Sequence, residues 1–219
     1  MIIPIPNPII RSIVFSLTLA GLLGYTLGAV PSAYLLVRWK SHRDIRREGS
    51  GNVGALNSYQ VTGSMLAGIV VLAADVLKGI CAVMFSQWIW GRGNTCVPVA
   101  GICAIVGHCF PLSLDFKGGR GLATAVGVFG LFALPLVGAW CVVWCVAYVL
   151  LKSVNPANAV ALLVSGGCAI LAPGWFIAPL TGATLSAGLF RMMVLSGFGV
   201  VLVRHVSPIR EFLREARSR

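Results

Sequence analysis

The chain has 219 residues, of which 58% are hydrophobic and only 11% are charged, and its formal net charge is +11. Soluble domains carry about 25% charged residues, so this composition indicates an integral membrane protein and excludes an ordinary soluble domain. The cations lie beside apolar runs, as topology signals do, so the positive charge does not indicate nucleic-acid binding.

Seven apolar segments follow one another along the chain: 12–37, 65–90, 96–114, 121–134, 136–151, 157–173 and 185–203. A helix needs about 20 residues to cross a bilayer, so the short fourth and fifth segments, separated by Pro135, predict a helical hairpin. The sequence therefore predicts an all-α membrane protein with seven transmembrane helices, some of them short. We expect a single integral membrane domain over 1–219, ending in a short basic tail at 204–219.

The placement of positive charge predicts the topology. If the N-terminus lies outside, 13 of the 17 lysines and arginines fall in inside segments and three in outside segments, while Lys78 lies within a span. Cytoplasmic loops carry such an excess of cations. We therefore expect the C-terminus and the polar motif loops on the cytoplasmic side.

Four polar segments fall on that cytoplasmic side: 49–57, 107–124, 152–158 and the pair Arg204-His205. We call the first two the first and second glycine segments. Their glycines and cations can wrap backbone N–H groups and charge around a phosphate. Four such segments on one face predict one site where a water-soluble substrate meets a membrane-embedded one.

The first glycine segment reads GSGNVGALN and imitates a dinucleotide-binding fingerprint, with Asp75 about 20 residues further on. No strand pattern precedes it and Asp75 lies in an apolar span, so a dinucleotide fold is excluded. Its polar groups suit a phosphate nest, and a plain flexible turn between two helices is the alternative. The residues predicted to act there are Gly49, Ser50, Gly51, Asn52 and Asn57.

The second glycine segment reads GHCFPLSLDFKGGRGLAT. His108 precedes Asp115 by seven residues, a spacing that differs from the HxxxxD pair of many acyltransferases, so a buried histidine that bonds neighbouring loops is the alternative to a general base. His205, beside Arg204, is the better candidate for substrate contact. The predicted residues of the second segment are His108, Lys117, Gly118, Gly119, Arg120, Gly121 and Thr124.

Asp75 and Lys78 lie three residues apart on one face of the second span. Ionisable groups at membrane depth are costly and usually pair or function. We expect a structural ion pair beneath the site. The seven cysteines show no CxxC pair and no zinc spacing, which predicts free thiols and neither a metal nor a cofactor.

These motifs carry a resemblance. The chain resembles the PlsY-type glycerol-3-phosphate acyltransferases over about residues 24–215, in the motifs GSGNVGALN and LAADVLKG, the second glycine segment and Arg204-His205. In addition, GAVPSAYLLVR at 28–38 is similar to the first span of that family. The resemblance implies a seven-span enzyme of the bacterial inner membrane. It implies transfer of an acyl group from acyl phosphate to the 1-hydroxyl of glycerol 3-phosphate, giving lysophosphatidic acid and phosphate, without acyl-CoA, acyl carrier protein or metal.

The resemblance also implies roles for individual residues. The catalytic residues are predicted to be Ser50, Asn52, Lys117 and His205. The substrate-binding residues are predicted to be Gly49, Gly51, Asn57, His108, Gly118, Gly119, Arg120, Gly121, Thr124, Asn155 and Arg204. The chain departs from the family pattern at four positions. The family usually has threonine where Leu56 stands, arginine where Gln60 stands, serine where Asn155 stands and asparagine where Pro208 stands.

Two other functions stay open at this point. Glycine-rich breaks and the intramembrane Asp75 and Lys78 would suit a transporter of a phosphorylated metabolite. Against transport, the polar segments share one face and no internal repeat is visible. The departures from the family pattern would suit a non-catalytic, lipid-binding descendant. The expected partners are glycerol 3-phosphate, acyl phosphate and membrane lipids, with no nucleic acid, and the sequence does not predict an oligomeric state.

Overall fold

The computed structural model describes residues 8–182 and 184–217 and shows helices joined by turns, with no strand in that part of the chain. The predicted all-α class is therefore confirmed. The helices are α1 (Pro8–Gly28), α2 (Ser32–Ser41), α3 (Ala55–Thr62), α4 (Met65–Trp90), α5 (Cys96–Cys109), α6 (Leu122–Phe132), α7 (Leu134–Leu151), α8 (Val154–Leu171), α9 (Gly174–Leu180), α10 (Ala187–Val203) and α11 (Val206–Arg217). Arg219, which the sequence placed in the basic tail, lies outside the described residues.

The membrane character of the fold is confirmed by its long apolar helices. Within the part of the chain that the structure describes, five stretches are long and apolar enough to cross a bilayer: Pro8–Ser41, Met65–Trp90, Cys96–Leu114, Leu134–Leu151 and Val154–Leu171. A sixth is formed if α10 and α11, which are bent by 48°, count as one span. The predicted count of seven is not established, because α6 has 11 residues and a crossing helix needs about 20. The single domain over 1–219 stays a prediction.

Two predicted segments have different boundaries in the structure. The first apolar segment, 12–37, is broken between α1 and α2, because Pro31 has no N–H to donate and disfavours helical backbone at the preceding residue. The third polar segment, 152–158, was predicted as a loop, which is wrong beyond Ser153. Helix α8 begins at Val154, so most of this segment forms its first turns.

The predicted hairpin consists of α6 and α7, separated by a single residue, Ala133. Pro135 lies in the first turn of α7. A proline is tolerated there because its missing N–H has no partner within the helix in any case. The proline therefore starts the second helix of the hairpin rather than separating the two.

Helices α1 and α5 approach each other closely through small residues. A Cβ on Gly24 would collide with the carbonyl oxygen of Ala100, and a Cβ on Gly28 would collide with that of Ala104. Small residues allow such backbone approach between membrane helices, where dispersion replaces the hydrophobic effect as the attraction. This contact fixes α5, which leads directly into the second glycine segment.

Replacing Gly24 with valine should lower the thermal stability of the protein in detergent. The added side chain has no space against α5, and overpacking of this kind costs about 1–3 kcal/mol. The matched control is Gly138→Val on α7, where a Cβ would meet no atom within 4 Å. Equal melting temperatures for the two variants in a thermal unfolding measurement would contradict the close packing of α1 on α5.

The core lies between α5, α6, α8 and α10, with Phe129 and Phe198 in edge-to-face contact at 5.1 Å between ring centroids. The predicted ion pair in α4 is confirmed. Lys78 Nζ lies 2.9 Å from Asp75 Oδ1, and both side chains are buried. The pair lies beneath the second glycine segment, because Asp75 contacts His108, which belongs to that segment and lies in the last turn of α5.

Candidate active site

The first glycine segment is folded around the side chain of Asn57. The Asn57 amide nitrogen donates to the carbonyl oxygens of Glu48 and Asn52, both at 3.0 Å, and lies 3.3 Å from that of Ile45. The amide oxygen accepts the Ser50 N–H at 3.0 Å. These bonds engage the amide on both sides. The structure therefore places Asn57, which the sequence predicted as a substrate ligand, at the centre of the loop as its support.

Two glycines allow the backbone to turn around that amide. Gly49 and Gly51 have φ angles of 57° and 66°, in the left-handed region that favours glycine. A Cβ on Gly49 would also collide with the amide oxygen of Asn57. The turn leaves the side chains of Ser50 and Asn52 at the loop surface.

An ion pair ties the turn that leads into the first glycine segment to the second glycine segment. Arg46 contacts Asp44 at 2.8 Å and also lies 3.5 Å from Asp115 of the second segment. The hydrogen bond from Arg46 holds the pKa of the Asp44 carboxyl at about 2, well below its ordinary value. Arg46 stacks over the Tyr34 ring at 5.4 Å, which links the base of the first loop to α2.

Two glycines of the second glycine segment pack closely against the backbone of His108. The Gly119 N–H donates to the His108 carbonyl oxygen at 3.1 Å, and a Cβ on Gly118 would collide with that same oxygen. The constraint at Gly118 is close approach of the backbone and not a left-handed conformation, since its φ is not positive. The left-handed glycine of this segment is Gly121, with φ of 86° at the start of α6.

Two arginines converge beside these glycines. The Arg204 guanidinium donates to the carbonyl oxygen of Gly118 at 2.7 Å and to that of Gly119 at 3.0 Å, and it stacks over the Phe110 ring. Arg120 donates to the side-chain oxygen of Asn155 at 2.5 Å. Burial lowers the pKa of the Arg120 guanidinium below its ordinary value, and Arg204 lowers it further. A guanidinium carries a positive charge in proteins, so the two groups would attract an anion between them.

Three of the four predicted segments line one cavity of about 450 Å³. This volume is within the range of small-ligand sites. The cavity is lined by Ser50, Gly51, Asn52, Arg120, Val203, Arg204, Val206, Ser207 and Pro208. Hydroxyl and amide groups of the first glycine segment therefore share a cavity with guanidinium groups from the second segment and from the end of α10. Such a set can bind phosphate oxygens by charge-assisted hydrogen bonds.

Sequence reasoning missed Ser207, a lining residue in the first turn of α11. The signal was present, because this serine follows Arg204 by three residues, close to one helical turn. Pro208, one of the departures from the family pattern, also lines the cavity. Gln60, another departure, is exposed on α3 and does not line it.

Several predicted residues lie outside the cavity lining. Lys117 is exposed at the surface of the second glycine segment. His205 is fully buried, with Nδ1 at 2.8 Å from the Val201 carbonyl oxygen. Thr124 is buried, and its carbonyl oxygen faces Gly79 of α4.

The remaining predicted residues reach the site indirectly. Asn155 contacts Arg120, and Gly49, Gly118, Gly119 and Gly121 shape the loops. His108 is buried beneath them. Within the described residues, no group of three His, Cys, Asp or Glu side chains could hold a metal ion.

Comparison with known proteins links this site to one family. Residues 18–215 match the family described as glycerol-3-phosphate acyltransferase. A glycerol-3-phosphate acyltransferase of Syntrophotalea carbinolica is 40% identical over 164 residues, which cover 71% of this chain and 83% of that protein. The corresponding protein of Myxococcus xanthus is 35% identical over 181 residues, covering 83% and 92% respectively.

A solved structure shares the fold. The crystal structure of PlsY, an integral membrane glycerol 3-phosphate acyltransferase, in its glycerol 3-phosphate form has a TM-score of 0.74 and 25% sequence identity, and the match covers 93% of each chain. The lysophosphatidic acid form of that protein matches with a TM-score of 0.72.

Proposed function

The chain belongs to the glycerol-3-phosphate acyltransferase family, and from this premise we propose that its acyl donor is acyl phosphate and that its acceptor atom is the 1-hydroxyl of glycerol 3-phosphate. Acyl transfer to glycerol 3-phosphate is the activity of the family. The products of the proposed reaction are lysophosphatidic acid and phosphate. Membership of this family favours acyl transfer over the transport and non-catalytic alternatives.

The observation that carries the proposal is the composition of that cavity. Both substrates of the proposed reaction carry a phosphate, and two phosphates must lie close together when the acyl group moves. Arg120 and Arg204 supply two cations that offset their mutual repulsion. Ser50 and Asn52 supply neutral hydrogen-bonding groups on the opposite loop, suited to the glycerol hydroxyls or to the developing oxyanion.

The reaction we propose is a direct transfer. The glycerol oxygen attacks the carbonyl carbon of acyl phosphate, the new ester bond forms, and the bond between that carbon and the phosphate oxygen breaks. His108 and His205 are both buried outside the cavity lining, so we assign the hydroxyl proton to a phosphate oxygen. Positioning and charge neutralisation then supply the rate, without a covalent enzyme intermediate.

The acyl chain needs an apolar path from the cavity into the membrane. A narrow apolar cleft lies between α6, α7, α8 and α10, and its lining includes Leu122, Phe129, Trp140 and Phe198. Leu122 lies two residues from Arg120, so the cleft starts beside the proposed phosphate site. We propose that the chain of the donor enters along this cleft while its phosphate stays among the arginines.

The purified protein should convert acyl phosphate and labelled glycerol 3-phosphate into lysophosphatidic acid, which chromatography of the labelled lipid detects. A parallel reaction with acyl-CoA tests the donor. Product from acyl phosphate alone supports the proposal. Product from acyl-CoA alone would overturn the proposed donor, and no product from either would overturn the proposed reaction.

We propose that the site faces the cytoplasm of a bacterial inner membrane, with the N-terminus outside, because 13 of 17 lysines and arginines fall in segments on that side. A reporter fused to the C-terminus should then signal cytoplasm, and one inserted after Gly93, between α4 and α5, should signal the exterior. The reverse pattern in the two fusions would contradict this orientation.

A further inference from the structure

A buried polar cluster lies beneath the second glycine segment, and the proposed reaction makes no use of it. Three groups converge on one oxygen, Asp75 Oδ1. Lys78 Nζ lies at 2.9 Å, the Ser32 hydroxyl donates to it at 2.5 Å, and His108 Nδ1 lies 3.6 Å away. Lys78 also donates to the Val30 carbonyl oxygen at 3.1 Å. Ionisable groups are expensive at membrane depth, so a cluster of this kind calls for a function.

The cluster is in direct contact with the loop above it through His108. The His108 carbonyl oxygen accepts the Gly119 N–H at 3.1 Å, and a Cβ on Gly119 would collide with ring nitrogen Nε2. The imidazole therefore lies between the Asp75 carboxylate on one side and the Gly119 backbone on the other. A cavity of only about 10 Å³ separates Lys78 and His108 from Gly118 and Gly119, so the loop has little room to shift relative to the cluster.

The same loop fixes the orientation of a cavity arginine. Gly118 and Gly119 turn their carbonyl oxygens to the Arg204 guanidinium, which donates one bond from Nη2 and one from Nε. A guanidinium has five N–H donors in a planar fork. Two of them are held by the loop, which sets the plane of the fork and the direction of the other three.

We propose that Asp75 and His108 are positioning residues that hold Gly118 and Gly119, and through them the Arg204 guanidinium, in the orientation that binds a phosphate group in the cavity. The inference rests on the proposed function of that cavity. Asp75 orients the imidazole, the imidazole and its carbonyl group hold Gly119, and the two glycine carbonyls orient Arg204.

The remaining members of the cluster explain why a charged group is tolerated there. Lys78 neutralises the Asp75 carboxylate at close range, which lowers the cost of keeping the anion within the membrane. Val30 lies in the break between α1 and α2, and Ser32 is the first residue of α2, so their hydrogen bonds also tie this part of the chain to α4. The carboxylate thus joins three parts of the chain below the site.

A double-mutant cycle between His108 and Arg204 tests the proposal. His108→Gln alone should raise the KM for glycerol 3-phosphate about 10-fold, while the melting temperature in detergent changes little. Arg204→Lys removes the planar fork and should raise the KM by at least as much. The double variant should show no higher KM than the more severe single variant, because the loop then has no guanidinium to orient. Fully additive effects in folded proteins would overturn the proposal.

A second substitution and a binding measurement complete the test. Asp75→Asn keeps the size of the side chain and the oxygen that accepts from Ser32, and it should raise the same KM. A normal KM for both Asp75→Asn and His108→Gln would overturn the proposal. It would do so even if one of the two variants folds poorly. Arg191→Gln is the control, since Arg191 is another cation of the membrane helices and bonds the Ala172 carbonyl oxygen away from the site. It should reduce thermal stability without raising the KM.

Isothermal titration with inorganic phosphate gives a readout that needs no turnover. The proposal expects weaker phosphate binding by His108→Gln than by the unsubstituted protein. Phosphate binding without product formation would defeat the proposed reaction but not the positioning role. Equal phosphate affinity of His108→Gln and the unsubstituted protein would overturn the positioning role.

Discussion

Replacing Arg204 with glutamine should reduce kcat/KM for acyl transfer by about 100-fold or more. The substitution removes one of the two cations that line the cavity, and it also removes the group held by the carbonyl oxygens of Gly118 and Gly119. Loss of one preorganised donor at a reacting centre typically costs 10²–10³ in rate. A factor of 100 corresponds to about 2.7 kcal/mol of transition-state stabilisation. Steady-state kinetics with both substrates varied measures the effect.

The control for this substitution is Arg210→Gln. Arg210 is an exposed arginine of α11, next to the site in sequence but absent from the cavity lining. Its loss should change kcat/KM by less than a factor of about three, since exposed charges contribute little. Equal losses for the two variants would indicate that net charge at the membrane surface, and not a bound guanidinium, supports the reaction.

The membrane fold was predictable from the sequence because apolar length and positive charge are local properties. Each predicted apolar segment contains at least one helix in the structure. The errors lie where the chain bends within an apolar run. Pro31 breaks the first segment, and Phe110 and Pro111 end α5 before the apolar run is complete, so the 3-10 turn Leu112–Leu114 follows. Composition alone does not distinguish such a bend from a continuous span.

The residue types of the site were also predictable, but their roles were only partly so. Arg120 and Arg204 line the cavity, whereas Lys117 of the same glycine segment as Arg120 does not. Asn57 and His205 belong to the same motifs and yet face inward. Which way a polar side chain points depends on the rotation of its helix and on distant backbone partners. Hydrogen bonds such as that from Ser32 to Asp75, 43 residues apart, leave no trace in the local sequence.

Substitution of Gly119 by alanine should affect the activity about as severely as loss of Arg204. A Cβ at this position would collide with His108 Nε2 and lie too close to the Val53 carbonyl oxygen, which belongs to the first glycine segment. The loop must then move, and its carbonyl oxygen moves with it, away from the Arg204 guanidinium. We expect a loss of about 100-fold in kcat/KM, since small misplacements of a binding group can cost that much.

The cause of that loss can be separated from simple unfolding. Overpacking alone should lower the free energy of unfolding by about 1–3 kcal/mol, which leaves a stable protein mostly folded. Gly130→Ala, on α6, is the matched control because a Cβ there would meet no atom within 4 Å. Its activity and melting temperature should stay close to those of the unsubstituted protein. A fully active Gly119→Ala variant would show that close packing of Gly119 on His108 does not position the site. The same conclusion would follow if the fraction of activity lost equals the fraction of protein that is unfolded.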